Sequence, residues 1–435
     1  MFVNPARQYV NAISRLFNLA PKQKSPIGIL PDEILLHIAK LSVSTSSMLG
    51  TNSDHLPLVL VSKKFNNICT PLLYEYVCLD SPLQFSDFLQ SQGVKRNLDR
   101  VLVLNIGRKV MFGYWEPLGG VAWPQLLSPL TGMLALRELI IGRGGDSFIH
   151  NKTQHPVLEY LTAHSAEPGF LPSLTTLVVR CHPSVLSLCR SRPIKELTLA
   201  PNERGLADLF QVHIPEIGHI QGSLDKLSLS IPVEMEAEQV ITTIRQLNIL
   251  CPRLRVISLL LHDHFLPWGS SCFEDGFVNW AQTTLARWSE LTDLSICIPQ
   301  PSAIPMWMEE SIIHALAKTF NNLKHVVLPV EQSEWARAST YDDIPDWTPR
   351  PDCEHHVMQW WLDTLGLNLA YIKSIDDPTC LENQPGWLKL DEDVSKVHEL
   401  MRGRWVEEKV PLKKMIKHWM LRRERLIRDE RMRMK

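Results

Sequence analysis

The chain has 435 residues, of which 45% are hydrophobic and 21% charged, with a formal net charge of −2. That length allows two or more domains and a sizeable core, and the composition is that of a soluble globular protein. The longest apolar run, Leu254–Leu266, is broken by Arg255, His262, Asp263 and His264, which excludes a membrane span of the usual length.

The charge is unevenly spread. Met401–Lys435 carries 13 Lys/Arg against 5 Asp/Glu, so the first 400 residues carry −10. Nine cysteines stand singly, with no C-x-x-C pair, several within apolar runs. Buried free thiols fit that usage, and a reducing compartment is expected, cytoplasmic or nuclear.

Residues 1–28 hold Arg7, Arg15, Lys22 and Lys24 and no acid, with Tyr9, Val10, Ile13, Leu16 and Phe17 at helical spacing. They resemble an import signal in composition, but read better as a docking helix followed by a Pro/Lys linker, Pro21–Pro26. The next stretch, LPDEILLHIAKL from Leu30, predicts a helix. Pro31 suits its first position, Asp32 and Glu33 suit its dipole, and Ile34, Leu35, Ile38 and Leu41 share a face. A polar insertion, Ser42–His55, precedes a second stripe of Leu58, Val61, Phe65, Ile68 and Leu72, and Pro71 is expected to start a new turn or helix. So short a helical module leaves apolar surface uncovered, which predicts docking on the rest of the chain or on another protein.

From residue 97 one motif returns, apolar-x-x-apolar-x-apolar. It starts at Leu98, Leu136, Leu174, Ile194, Leu224, Leu254, Leu291 and Leu323, at intervals of 38, 38, 20, 30, 30, 37 and 32 residues. Each copy reads as a strand followed by a longer return. Three returns predict helices, at Glu238–Cys251, Phe273–Trp288 and Met308–Phe320. Strand, helix and strand in one phase imply parallel strands. Off-phase residues then share the open face: Glu138, Thr176, Arg180, Glu196, Lys226, Ser228, Asp293 and His325 among them. Their mixed chemistry suits a protein ligand better than a phosphate backbone. Trp335–Pro351, with three prolines, predicts a linker, and a helix is expected at Glu354–Leu365. Val394–Lys435 predicts a basic helix with Leu412, Ile416, Trp419, Met420 and Ile427 on one side. It reads as a solvated helix docked by that stripe, and a nucleic-acid partner is not expected.

Reactive constellations are sparse. His262-x-His264 and Cys353-x-His355-His356 lack a second pair of metal ligands. Gly142–Gly145 lacks the spacing of a phosphate loop, and neither G-x-S-x-G nor H-E-x-x-H occurs. Neither an enzyme nor a cofactor nor a metal is expected.

Leu30–Asp80, with LPDEILLHIAKL, LVSKKFNNI and LLYEYVCLD, resembles the F-box in the form common in fungal F-box proteins. The strand motif resembles an irregular leucine-rich repeat, although regular repeats run to roughly 20–29 residues. Together these imply an α/β chain. Residues 1–28 are an N-terminal helix and linker, 29–80 a small all-α F-box-like module, and 97–335 an irregular leucine-rich-repeat-like solenoid with parallel strands and helices on its convex side. Residues 336–393 form a Pro-rich loop and helical cap, and 394–435 a basic C-terminal helix. The resemblance implies the substrate receptor of a ubiquitin ligase. It would bind the Skp adaptor, and through it a cullin scaffold, with Leu30, Pro31, Ile34, Leu35, Ile38, Val61 and Phe65 as adaptor contacts. The repeats would hold an unknown protein target. The alternative is a non-catalytic repeat scaffold without a ligase role.

Overall fold

The structure, a computed structural model, describes residues 31–42, 59, 62–111, 120–142, 155–180, 182–200, 207–220, 224–232, 234–261, 273–297, 306–328, 333–337 and 347–350. Leu30, Val61, the N-terminal stretch, His262 and His264, the Cys353 cluster and the basic tail lie outside those residues, as does the side chain of Ile38. The chain is mixed α/β with mostly parallel strands and forms two compact units, Met1–Ser223 and Leu224–Lys435.

Among the described residues the first unit opens with the helices α1 (Asp32–Ser42) and α2 (Lys63–Glu75). They pack around Leu35, Phe65, Cys69 and Leu72, with Leu36, Val59 and Ile68 at the margin. Ser62 caps α2 by accepting from the Phe65 amide at 3.2 Å. The expected break at Pro71 does not occur, and α2 runs through it to Glu75. Burial of Cys69 and Leu72 on either side outweighs the one missing N–H donor.

From Glu75 the chain passes without a loop into β1 (Tyr76–Leu79). Four more strands follow in parallel and in chain order: β2 (Val103–Ile106), β3 (Glu138–Ile141), β4 (Thr176–Val179) and β5 (Glu196–Leu199). Their in-phase residues are the core. Leu136, Leu139 and Ile141 are buried, as are Leu174, Leu177 and Val179, then Ile194, Leu197 and Leu199. In the first copy the buried triplet is Val101, Leu104 and Ile106, three residues later than a frame starting at Leu98.

One backbone device repeats at the starts of β3, β4 and β5. The Leu102 carbonyl accepts from Arg137 and Glu138, the Arg137 carbonyl from Thr175 and Thr176, and the Thr175 carbonyl from Lys195 and Glu196. Each carbonyl thus fixes the register of the next strand. Beyond β2, Gly107 donates to the Leu79 carbonyl at 2.8 Å. A Cβ there would lie 2.3 Å from Asp80 Oδ1 and 2.8 Å from Asp80 Cα, so only glycine allows this approach. Between strands the returns are short: α3 (Pro82–Gln90), α4 (Pro156–Ala163), α5 (Ala207–His213) and 3-10 turns such as Pro183–Ser191.

Arg192 is fully buried in this unit. Its guanidinium donates to the carbonyls of Ser165 at 2.9 Å and Glu167 at 3.0 Å, tying the turn after α4 to the chain before β5.

The second unit continues the pattern with β6 (Lys226–Ser230), β7 (Val256–Leu260), β8 (Asp293–Cys297) and β9 (His325–Val327), all parallel. Its returns are the expected helices, α6 (Ala237–Leu250), α7 (Phe273–Thr284) and α8 (Met306–Thr319). A capping box between Glu236 and Gln239 starts α6. Polar side chains join successive returns: Asn248 donates to the Thr284 carbonyl, Trp288 Nε1 to Cys251 at 2.8 Å, and Asn322 to Ser289 at 2.9 Å.

The sheet then turns antiparallel where the sequence predicts a linker. β10 (Glu334–Arg337) pairs with β9, and β11 (Trp347–Pro349) pairs with β10. Trp335 and Trp347 are buried, which explains why a proline-rich stretch holds strand structure. The Trp335 indole donates to Glu309 of α8 at 2.9 Å, and Ser333 Oγ donates to the same buried carboxylate.

Candidate interaction surfaces

On the helical pair, sequence-predicted contacts separate by burial. Pro31 is exposed and Ile34 is 48% exposed, so both present surface. Leu35 is fully buried and Phe65 nearly so, within the cluster that holds α1 to α2. These two are therefore internal packing residues and not presented for contact. Lys64 reaches Asp32 at 3.0 Å, linking α2 to the first turn of α1. Both ends of that pair face water, so it adds little stability.

In the first unit the off-phase residues form two rows across the strands. Tyr76, Val103, Glu138, Thr176 and Glu196 are in register, and so are Cys78, Asn105, Ile140, Val178 and Thr198. Most are half-buried, while Glu196 and Arg180, just beyond β4, are exposed. Burial, and then the charge of Glu196, push the Glu138 carboxyl above its ordinary value. Thr176 stands between them. Asn105 is almost wholly buried, and neither end of its amide has a hydrogen-bond partner. In a strand of apolar residues this amide was the visible signal, but a frame starting at Leu98 hides its place on the face.

In the second unit Lys226, Val256, Asp293 and His325 form one register row, with Ser228, Ser258, Ser295 and Val327 in the next. Lys226 is exposed, and Ser228 and Asp293 are half-buried. His325 departs from the expected role. It is buried, with Nδ1 3.5 Å from Asp293 and Nε2 bonded to Glu334 of β10. Glu334 also accepts from Arg350 at 3.0 Å. Burial alone would raise the Glu334 carboxyl, but hydrogen bonds and charge from His325 and Arg350 hold it down at about 2. His325 is thus an internal pin of the antiparallel edge. The strand β10 that supplies its partner falls where a linker was expected, so the pairing could not be anticipated.

Among the described residues no group of three or more His, Cys, Asp or Glu could hold a metal ion. Among them, too, no helix is long and apolar enough to cross a membrane. The chain matches no model of a known protein family, and no curated protein matches it.

Proposed function

We propose that this chain is a non-catalytic substrate receptor, an F-box-like module followed by an irregular leucine-rich-repeat-like solenoid, working in the cytoplasm or nucleus. The module would bind the Skp adaptor of a cullin-based ubiquitin ligase, and the off-phase strand face would hold a protein target. Function is then proximity: the target is kept near the ligase's charged conjugating enzyme. One observation carries this reading beyond the sequence resemblance. Ile34 stands half-exposed on α1 beside Pro31, while its neighbour Leu35 already closes the core. The pair closes a core of its own around Leu35, Phe65, Cys69 and Leu72, so Pro31 and Ile34 are the contacts it can offer a partner without opening that core. For the target, Glu138, Thr176, Arg180 and Glu196 in one unit and Lys226, Ser228 and Asp293 in the other are the contact residues; His325 is withdrawn.

The test is co-purification of the full chain with the Skp adaptor, beside a Pro31→Ala/Ile34→Ala variant. The variant should bind roughly tenfold more weakly or worse, the loss expected for anchor residues, with an unchanged melting profile. Equal binding by the double variant overturns the assignment.

A second reading rests on the passage from α2 into β1 without a loop. Here the helices begin the sheet of their own unit, and the chain is a repeat scaffold with no ligase role. Absence of any complex with the wild-type chain favours it.

A further inference from the structure

Two successive returns of the first unit open on the same dipeptide: His155-Pro156 before α4 and His182-Pro183 before the 3-10 run Pro183–Ser191. A proline in first position has no N–H, so the first amide that needs a partner is the next one. In both returns the histidine ring supplies it. The Val157 amide donates to His155 Nδ1 at 3.3 Å, and the Ser184 amide to His182 Nδ1 at 3.2 Å. Each ring therefore keeps Nδ1 bare and carries its proton on Nε2. Val157 and Ser184 are buried, so water is poorly placed to take the ring's part. The two returns also pack on each other.

We propose that His155 and His182 form an acid latch on the first unit: neutral, they cap two neighbouring returns, and protonated, they release both. A proton on Nδ1 turns the acceptor into a donor that faces an amide donor. It also sets a positive charge at the positive end of a helix. The surroundings do little to hold such a charge. His155 has the Trp123 ring edge-on at 5.7 Å, and burial pushes its pKa down to about 4, against the Val110 carbonyl, which favours the proton. His182 meets the His213 ring of α5 at 6.2 Å, and burial, then the charge of His213, push it down. His213 is itself lowered by burial, against the pull of Glu216. That carboxylate accepts from Arg190 Nε at 2.6 Å and also feels His219. Neutral rings are thus favoured by folding. For His155 the stabilisation is fully present above an ordinary value of 6.5 and is lost as pH falls towards about 4. In the second unit the capping box of α6 uses Glu236 and Gln239 instead. α4 and the 3-10 run lead into β4 and β5, so their release loosens the strands that carry Thr176 and Glu196.

The experiment is hydrogen–deuterium exchange of the full chain at pH 7 and pH 5, corrected for intrinsic rates and read by mass spectrometry. Opening of residues 156–163 should be about 20-fold more populated at pH 5, the ratio for one histidine held at about 4 in the fold against 6.5 outside it. Residues 183–191 should open in the same direction, while α6, under its Glu–Gln box, keeps its protection. This comparison needs no variant. His155→Asn with His182→Asn should cancel the pH dependence and keep the protection at pH 7, since asparagine caps a helix and does not titrate. Equal protection of 156–163 and 183–191 at both pH values overturns the proposal. So does an α6 that opens in step with them, or a pH dependence that survives in the asparagine variant. Adaptor binding enters none of these readouts, so the latch stands or falls apart from the ligase reading.

Discussion

Glu334 allows a prediction with a sign and a size. In the folded chain its carboxyl is held at about 2, against an ordinary 4.5, by His325 and Arg350 in spite of burial. The charged form is favoured by folding, so the stabilisation is fully present above about pH 4.5. It is lost as pH falls from there towards 2. At about 1.4 kcal/mol per pH unit the upper limit is about 3 kcal/mol. Arg350 is 42% exposed, however, and solvent screening reduces this to about 1–2 kcal/mol. Glu334→Gln keeps the shape and removes the charge. Urea denaturation followed by tryptophan fluorescence should show the variant less stable by that amount at pH 7. The gap should narrow progressively below about pH 4.5. A gap that stays constant with pH, or no gap at pH 7, would refute the role given to the His325–Glu334–Arg350 cluster.

Arg192→Met should cost about 1–3 kcal/mol in the same assay, because Met fills the space but takes the guanidinium donor from the buried Ser165 carbonyl and one of two donors from the Glu167 carbonyl, which keeps the Phe170 amide. Arg192→Lys should not restore stability, since one ammonium lacks the planar fork that reaches both. Gly107→Ala should cost about 1–3 kcal/mol, and adding Asp80→Ala should recover only part of it, because the 2.8 Å approach to Asp80 Cα remains.

Much of the fold was legible in the sequence because burial enforces the pattern. A parallel strand packed on its returns needs in-phase apolar residues, and Leu254, Ile257 and Leu259 or Leu291, Leu294 and Ile296 leave no other phase to choose. Helices α6, α7 and α8 were legible for the same reason, each long enough to show a stripe. The returns of the first unit were not, because 3-10 turns such as Pro183–Ser191 are buried almost all round and show no polar side. Pro71 misled because local propensity gives way where Cys69 and Leu72 to either side are buried. At β11 the prolines misled because Pro349 ends an edge strand, where a missing donor costs little.

The surface was less legible than the core, and His325 shows why. Off-phase position places a residue on a face, but whether the face is open depends on what is stacked against the edge. Lys226, Val256 and Asp293 lie in the same register row as His325, yet only His325 borders β10, whose Glu334 closes over it. The same logic runs in the opposite direction at Leu35 and Ile34. Helical spacing puts both near one face, but between α1 and α2 there is one small cluster of core, and Leu35 fills it with Phe65, Cys69 and Leu72. What stays outside is then set by geometry and not by hydrophobicity. A contact residue is better sought among apolar side chains that the module cannot bury than among those that define its pattern. Ile34 on α1 meets that condition, and Leu35 and Phe65 do not.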